Sequence, residues 1–198
     1  MRHIVITIFF LALTSCASLK QEPPIPSQPA AIPWGDRVGV LSNIEDWDLK
    51  GLIAIRNSRH AWNAHWQWQQ NHTHYSIALV GPLGSGSLQL TGSPKSVLLE
   101  TSDGKKITST SPEALLEQQM GWRLPVSDLY YWVRGLPVPN LSAQKQFDAA
   151  HRLSVLIQNG WRIEYSRYVL INHVDLPDKM ILNNPELNVK IIINEWKM

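Results

Sequence analysis

An α+β domain built on one strongly curved antiparallel sheet, with short helices laid over one end, is the fold the sequence predicts. Three observations predict it. Alternating apolar and polar runs of strand length recur on both sides of the middle of the chain. Two turn dipeptides, Asp103-Gly104 and Asn159-Gly160, each separate a pair of such runs. Between the two groups lie two helix starts, Ser111-Pro112-Glu113 and Ser127-Asp128. Strands, helices, then strands again is an α+β order. At 198 residues, 44% hydrophobic and 17% charged, the chain is long enough for one such domain with a full core. A net charge of +2 is too small to point to nucleic acid.

The elements follow in order. Arg2 and His3 precede an apolar run from Ile4 to Leu13. A run of about ten residues falls well short of the ~20 that span a bilayer, so residues 1–15 read as a signal peptide. It ends in Leu13-Thr14-Ser15-Cys16, which resembles the bacterial lipoprotein lipobox. That resemblance implies that Cys16 is acylated and becomes the first mature residue. By the same resemblance, Ala17 and Ser18, with no aspartate directly after the cysteine, imply sorting to the outer membrane, facing the periplasm. Cys16 is the only cysteine, so no internal disulfide can form. Residues 16–35 read as a tether, with Pro23, Pro24, Pro26, Pro29 and Pro33. Extended proline-rich chain rises ~3.1 Å per residue, which gives a reach of roughly 60 Å.

The domain is expected over residues 36–198. Val38, Leu41, Ile44 and Trp47 fall at helical spacing, predicting a short helix over Asp36–Trp47. From Leu49 the period changes to two. Trp62, Ala64, Trp66 and Trp68 share one face of a strand, and similar runs follow at Tyr75–Val80, Ser87–Thr91, Ser96–Thr101 and Lys105–Ser109. Helices are expected over Ala114–Met120 and Leu129–Arg134, the second closed by Gly135 and Pro137. After a loose polar stretch come strands at Arg152–Gln158, Trp161–Tyr168, Lys179–Asn183 and Asn188–Glu195.

Trp62, Trp66, Trp68, Ile77, Leu79, Leu88, Leu90, Ile163 and Tyr165 fall on the apolar phase of their strands. Nine tryptophans must line something. Either they fill a core, or the sheet curls around an apolar cavity with Trp132 and Leu136 in a helical lid; periodicity leaves both open. The loop Val80-Gly-Pro-Leu-Gly-Ser-Gly86 joins two strands and carries one large apolar side chain, Leu83, between Pro82 and Gly84. Pro82 stiffens the approach and Gly84 permits a sharp turn. Leu83 either protrudes or folds back over the sheet edge.

No chemistry emerges from the motifs. There is no nucleophile elbow, phosphate-binding glycine loop or dinucleotide fingerprint, so no enzyme and no cofactor are expected. His60, His65, His72 and His74 cluster, and His72-x-His74 could hold zinc if a third ligand converged. The segment Gln69–His74 reads instead as a polar hairpin turn, and no metal site is expected.

Taken together, Gly81-Pro-Leu-Gly-Ser-Gly-Ser-Leu-Gln-Leu90, Asp103-Gly104 through Ala114, Leu124-Pro125, Trp132-Val-Arg-Gly-Leu-Pro137 and Asn159-Gly-Trp161 with Ile163 and Tyr165 resemble the LolB family of outer-membrane lipoprotein receptors. The clustered histidines and some of the tryptophans depart from that pattern. The resemblance implies an unclosed β-barrel with helices forming a lid over an apolar cavity. It implies a monomeric, lipid-anchored receptor that takes acylated lipoproteins from a LolA-like periplasmic carrier and inserts them into outer-membrane lipid without nucleotide hydrolysis. The acyl chains would meet the apolar-phase residues named above, and Pro82, Leu83 and Gly84 would form the insertion loop. A structural or assembly lipoprotein that binds peptide or envelope polymer is the alternative.

Overall fold

The computed structural model describes residues 32–84 and 86–198. The signal peptide, Cys16 and most of the tether lie outside the described residues.

The described chain runs α1 (Trp34–Ser42), β1 (Asp46–Arg56), β2 (Ala61–Asn71), β3 (His74–Val80), β4 (Ser87–Gly92), β5 (Val97–Thr101), β6 (Lys106–Ser109), α2 (Pro112–Met120), α3 (Val126–Trp132), β7 (Ala143–Phe147), β8 (Leu153–Gln158), β9 (Trp161–Ile171), β10 (Val174–Asn183) and β11 (Asn188–Lys197). All eleven strands form one antiparallel sheet in the order β6-β5-β4-β3-β2-β1-β11-β10-β9-β8-β7. It is two meanders joined where the first strand pairs with the last. β6 and β7 are free edges, so the expected curved sheet is present and is not closed.

Alternation explains the strands. Trp47, Leu49, Ile53 and Ile55 of β1 and Ala64, Trp66 and Trp68 of β2 all bury the same face. Gly51 stands where β11 bulges against β1, with Asn194 the extra residue: a Cβ on Gly51 would lie 2.0 Å from the Ile192 carbonyl oxygen. The Asn159-Gly160 turn has both residues in the left-handed region (φ 51° and 77°), which matches the twist of the strands it joins.

Three expectations are corrected. α1 ends at Ser42, so Ile44 and Trp47 lie outside it, and Trp47 belongs to β1. Its three-residue spacing from Ile44 is coincidental with the helical period, while its alternation with Leu49 is what packs. The polar stretch after α3 contains β7, exposed along most of its length because it is an edge. β9 and β10 extend to a tight turn at Asn172-His173, where both residues are left-handed (φ 47° and 66°).

Following the strand directions sorts the connections into two rims. The β1–β2, β3–β4, β5–β6, β8–β9 and β10–β11 turns share one rim. At the opposite rim lie α1, the β2–β3, β4–β5, β7–β8 and β9–β10 turns and the C-terminus. The chain therefore enters the domain at one rim, and the loop of Leu83 leaves from the other.

Candidate functional site

The concave face and its helices form the first part of the site. Ser111 caps α2 by accepting from the Ala114 amide at 3.2 Å. The Glu113 carboxylate accepts the Ser127 amide at 2.9 Å and so ties the start of α2 to the start of α3. Burial lifts that carboxyl, but hydrogen bonds from Ser127 and Ser111 outweigh it and hold the group below its ordinary value.

The end of α3 is fastened to the sheet on two sides. Gln158 accepts the Trp132 indole N–H at 3.1 Å and the Val138 amide at 2.8 Å, and the Tyr165 hydroxyl donates to the Trp132 carbonyl at 3.0 Å. Arg134, 2% exposed, adds a third tie. Its guanidinium donates to the Leu41 and Ile44 carbonyls at 3.2 and 2.7 Å and to the Tyr130 carbonyl at 3.0 Å, with its carbon 4.1 Å from the Tyr130 ring centre. Arg134 thus locks α3 to the α1–β1 connection. Neither Arg134 nor Gln158 stands out in the sequence; a charged residue two positions past the aromatic run Tyr130-Tyr131-Trp132 was the available signal.

Between sheet and helices the buried apolar side chains form one cluster. Trp66, Trp68, Ile77, Leu79, Leu88, Leu90, Trp132, Leu136, Ile163 and Tyr165 are all buried. Trp62 is half-buried, its ring 6.0 Å from that of Trp122. The indoles continue inward: Trp68 lies 5.9 Å from Trp66 and 5.2 Å from Trp47. Clefts open at both rims. One, of about 470 Å³, lies between Trp68 and Tyr75 of the sheet and Val126, Tyr130 and Tyr131 of α3. Tyr75 lines it with a buried hydroxyl that has no partner. The other, of about 320 Å³, is bounded by Trp62, Leu88 and Met120 and lies beside the Leu83 loop. The packed indoles separate the two.

That loop is the second part of the site. Gly81 donates to the Gly86 carbonyl at 3.0 Å and Gly84 to the Gly81 carbonyl at 3.2 Å, closing a tight turn over Pro82 and Leu83. Leu83 is left-handed (φ 53°, ψ 25°) and 108% exposed. A leucine pays roughly 1–2 kcal/mol for that backbone, and here it makes no compensating burial.

The histidines do not converge. His60, His65 and His74 are exposed, and His72, in the β2–β3 turn, lies 2.9 Å from Asp46 and 3.6 Å from Glu45. Among the described residues no three metal-binding side chains gather.

The family described as Outer membrane lipoprotein LolB matches residues 45–196. The chain belongs to the LolB family. The outer-membrane lipoprotein LolB of Pseudomonas syringae is 36% identical over 197 residues, covering 100% of this chain and 96% of that protein. That of Pseudomonas aeruginosa is 40% identical, covering 93% and 90%. As a LolB-family member the chain is an outer-membrane lipoprotein, lipid-anchored and facing the periplasm. Among solved structures, a DUF1329 family protein from Desulfovibrio piger aligns with a TM-score of 0.57 at 7% identity, over 83% of this chain and 90% of that one. A LolA superfamily protein from Nitrosomonas europaea aligns at 0.54 and 8% identity, over 85% and 94%. At those identities the likeness concerns the fold alone.

Proposed function

We propose that this LolB-family lipoprotein, anchored through Cys16, accepts acylated lipoproteins from a LolA-like periplasmic carrier and inserts them into the outer membrane. Acyl chains enter beneath α2 and α3, at the rim clefts, by displacing lid side chains from the indoles and aliphatic residues of the concave face. The step uses no nucleotide hydrolysis. A triacylated protein exposes dozens of methylenes at roughly 0.8 kcal/mol each, so hand-over between shielded apolar surfaces is favoured over release into water.

Leu83 carries the reading. Leu83 is fully exposed in a strained backbone at a loop tip and buries nothing within the domain, whereas on lipid it would gain ~1.5–3 kcal/mol. The likeness of fold to a LolA superfamily protein suits transfer between two related apolar half-barrels.

The contact of the indoles of Trp47, Trp66 and Trp68 within the buried cluster is the observation that favours the second reading, a structural or assembly lipoprotein binding peptide or polymer. One experiment decides between them: carrier-bound lipoprotein is mixed with this protein and liposomes. The receptor reading expects cargo to pass to the wild type and into the liposomes, and Leu83→Glu to accept cargo but insert at least tenfold less. Failure of the wild type to take cargo from the carrier sinks it.

A further inference from the structure

The convex face of the sheet carries a groove of about 360 Å³ that the acyl-receptor reading does not use. Register places its parts side by side. Val80 pairs with His65, His65 with Leu52 and Leu52 with Ile192, while Ala54 pairs with Lys190 in the rank nearer the Leu83 rim. All of these point outward, because the alternate positions Ile53, Ala64, Trp66, Leu79 and Ile191 are buried. β3 is shorter than β1 and β2, so the loop after Val80 turns beside the overhanging β1–β2 hairpin, and Pro82 forms part of the groove wall.

Two features of this surface bear on what it could meet. It bears apolar side chains where an outer sheet face is ordinarily polar: Leu52 is 41% and Val80 39% exposed, and from Val80 the chain runs through Pro82 of the groove wall to Leu83. It also carries unpaired cations. Lys50 and Lys197 pair with Glu195, Lys106 with Glu100, Arg123 with Glu117 and Arg167 with Asp178, while Lys95, Lys105, Lys145 and Lys179 are, like the groove's cations, outside any ion pair among the described residues. Lys190 in the groove, and Arg56 and Arg59 on the adjoining β1–β2 hairpin, enter no ion pair among the described residues. Glu186, in the β10–β11 turn, is the neighbouring carboxylate on that rim.

We propose that the Leu83 loop and this convex groove form one membrane-docking face that fits an anionic phospholipid bilayer, with Leu83, Pro82, Val80 and Leu52 against the acyl boundary and Lys190, Arg56 and Arg59 among the phosphates. Leucine alone makes a transient contact; the added apolar area and free cations orient the domain while it is there. Apolar insertion plus unpaired basic side chains is the combination by which peripheral proteins bind anionic lipid. The purpose of the face rests on the receptor reading, but the contact does not.

The test uses the complete mature chain with Cys16→Ala, which removes the acyl anchor and leaves no other cysteine. An environment-sensitive fluorophore is attached at Ala54→Cys in the groove, or at Gln144→Cys on the exposed edge strand β7. Vesicles are phosphatidylethanolamine with one quarter phosphatidylglycerol, or phosphatidylcholine alone. The proposal expects a blue shift at position 54 and none at 144 with anionic vesicles, weakening as salt is raised. Lys190→Glu lowers affinity for anionic vesicles about tenfold and leaves phosphatidylcholine unchanged. Leu52→Gln, at an exposed position, lowers both about threefold. An absent shift at 54, equal shifts at 54 and 144, or a Lys190→Glu effect within twofold overturns it. Cargo acceptance is measured on the same chains without vesicles. If acceptance holds while the groove stays silent, the docking face falls and the receptor stands; if acceptance fails while the groove responds, the reverse holds.

Discussion

At the scale of single residues, two side chains invert the usual order of things. Leu83 is apolar, strained and in water; Arg134 is charged and enclosed. Leu83→Gly relieves the left-handed strain, so stability stays level or rises by up to ~1 kcal/mol in denaturant melts, while liposome insertion is lost. A drop in stability would mean that Leu83 supports the fold. Arg134→Leu leaves the Leu41, Ile44 and Tyr130 carbonyls without their donor and costs about 3 kcal/mol, seen as a lower denaturation midpoint at unchanged slope. Only the first of these residues was legible beforehand. A leucine between proline and glycine announces itself as a loop tip in any context. Arg134 does not, because its burial depends on the α1–β1 connection, some ninety residues earlier in the chain, folding back over it.

At the scale of elements, the joint between α2 and α3 rests on the Glu113 carboxylate. Its folded value lies below its ordinary value of 4.5, so the stability it contributes is fully present above that value and is lost as pH falls through the folded one. Glu113→Gln therefore lowers stability by about 1 kcal/mol at neutral pH, and the gap between variant and wild type narrows under acid. A constant gap from neutral to acid pH would show the carboxylate plays no such part. Gly51→Ala tests the sheet's central seam: with the Ile192 carbonyl 2.0 Å from the new methyl, β1 and β11 must part locally, and urea melts should show a loss of about 2–4 kcal/mol. Strands with one buried and one exposed face, such as β2, could be read from alternation. β7 could not, since Ala143-Gln-Lys-Gln-Phe147 buries almost nothing. The start of β1 was hidden by the helical spacing of Ile44 and Trp47.

At the scale of the whole molecule, the order strand, helix, strand was enough for one curved antiparallel sheet, because alternating runs have few other ways to cover one apolar face, while its being unclosed came only with the family resemblance. The state of the interior was not legible. Alternation tells which side chains face inward and nothing about whether they meet; here Trp47, Trp66 and Trp68 do meet. The described chain enters at one rim and Leu83 leaves from the other. Under the proposed function, tether length then sets whether Leu83 can reach the membrane that holds Cys16. Deleting residues 20–29 removes roughly 30 Å of extended reach. Cargo acceptance should persist and self-insertion should fall, with insertion into separate liposomes unaffected. Equal insertion by both routes would mean the tether is only a spacer.

Under the proposed function, a domain entered at one pole and tipped at the other divides its labour by hemisphere: the end that carries the chain in is not the end that would touch lipid.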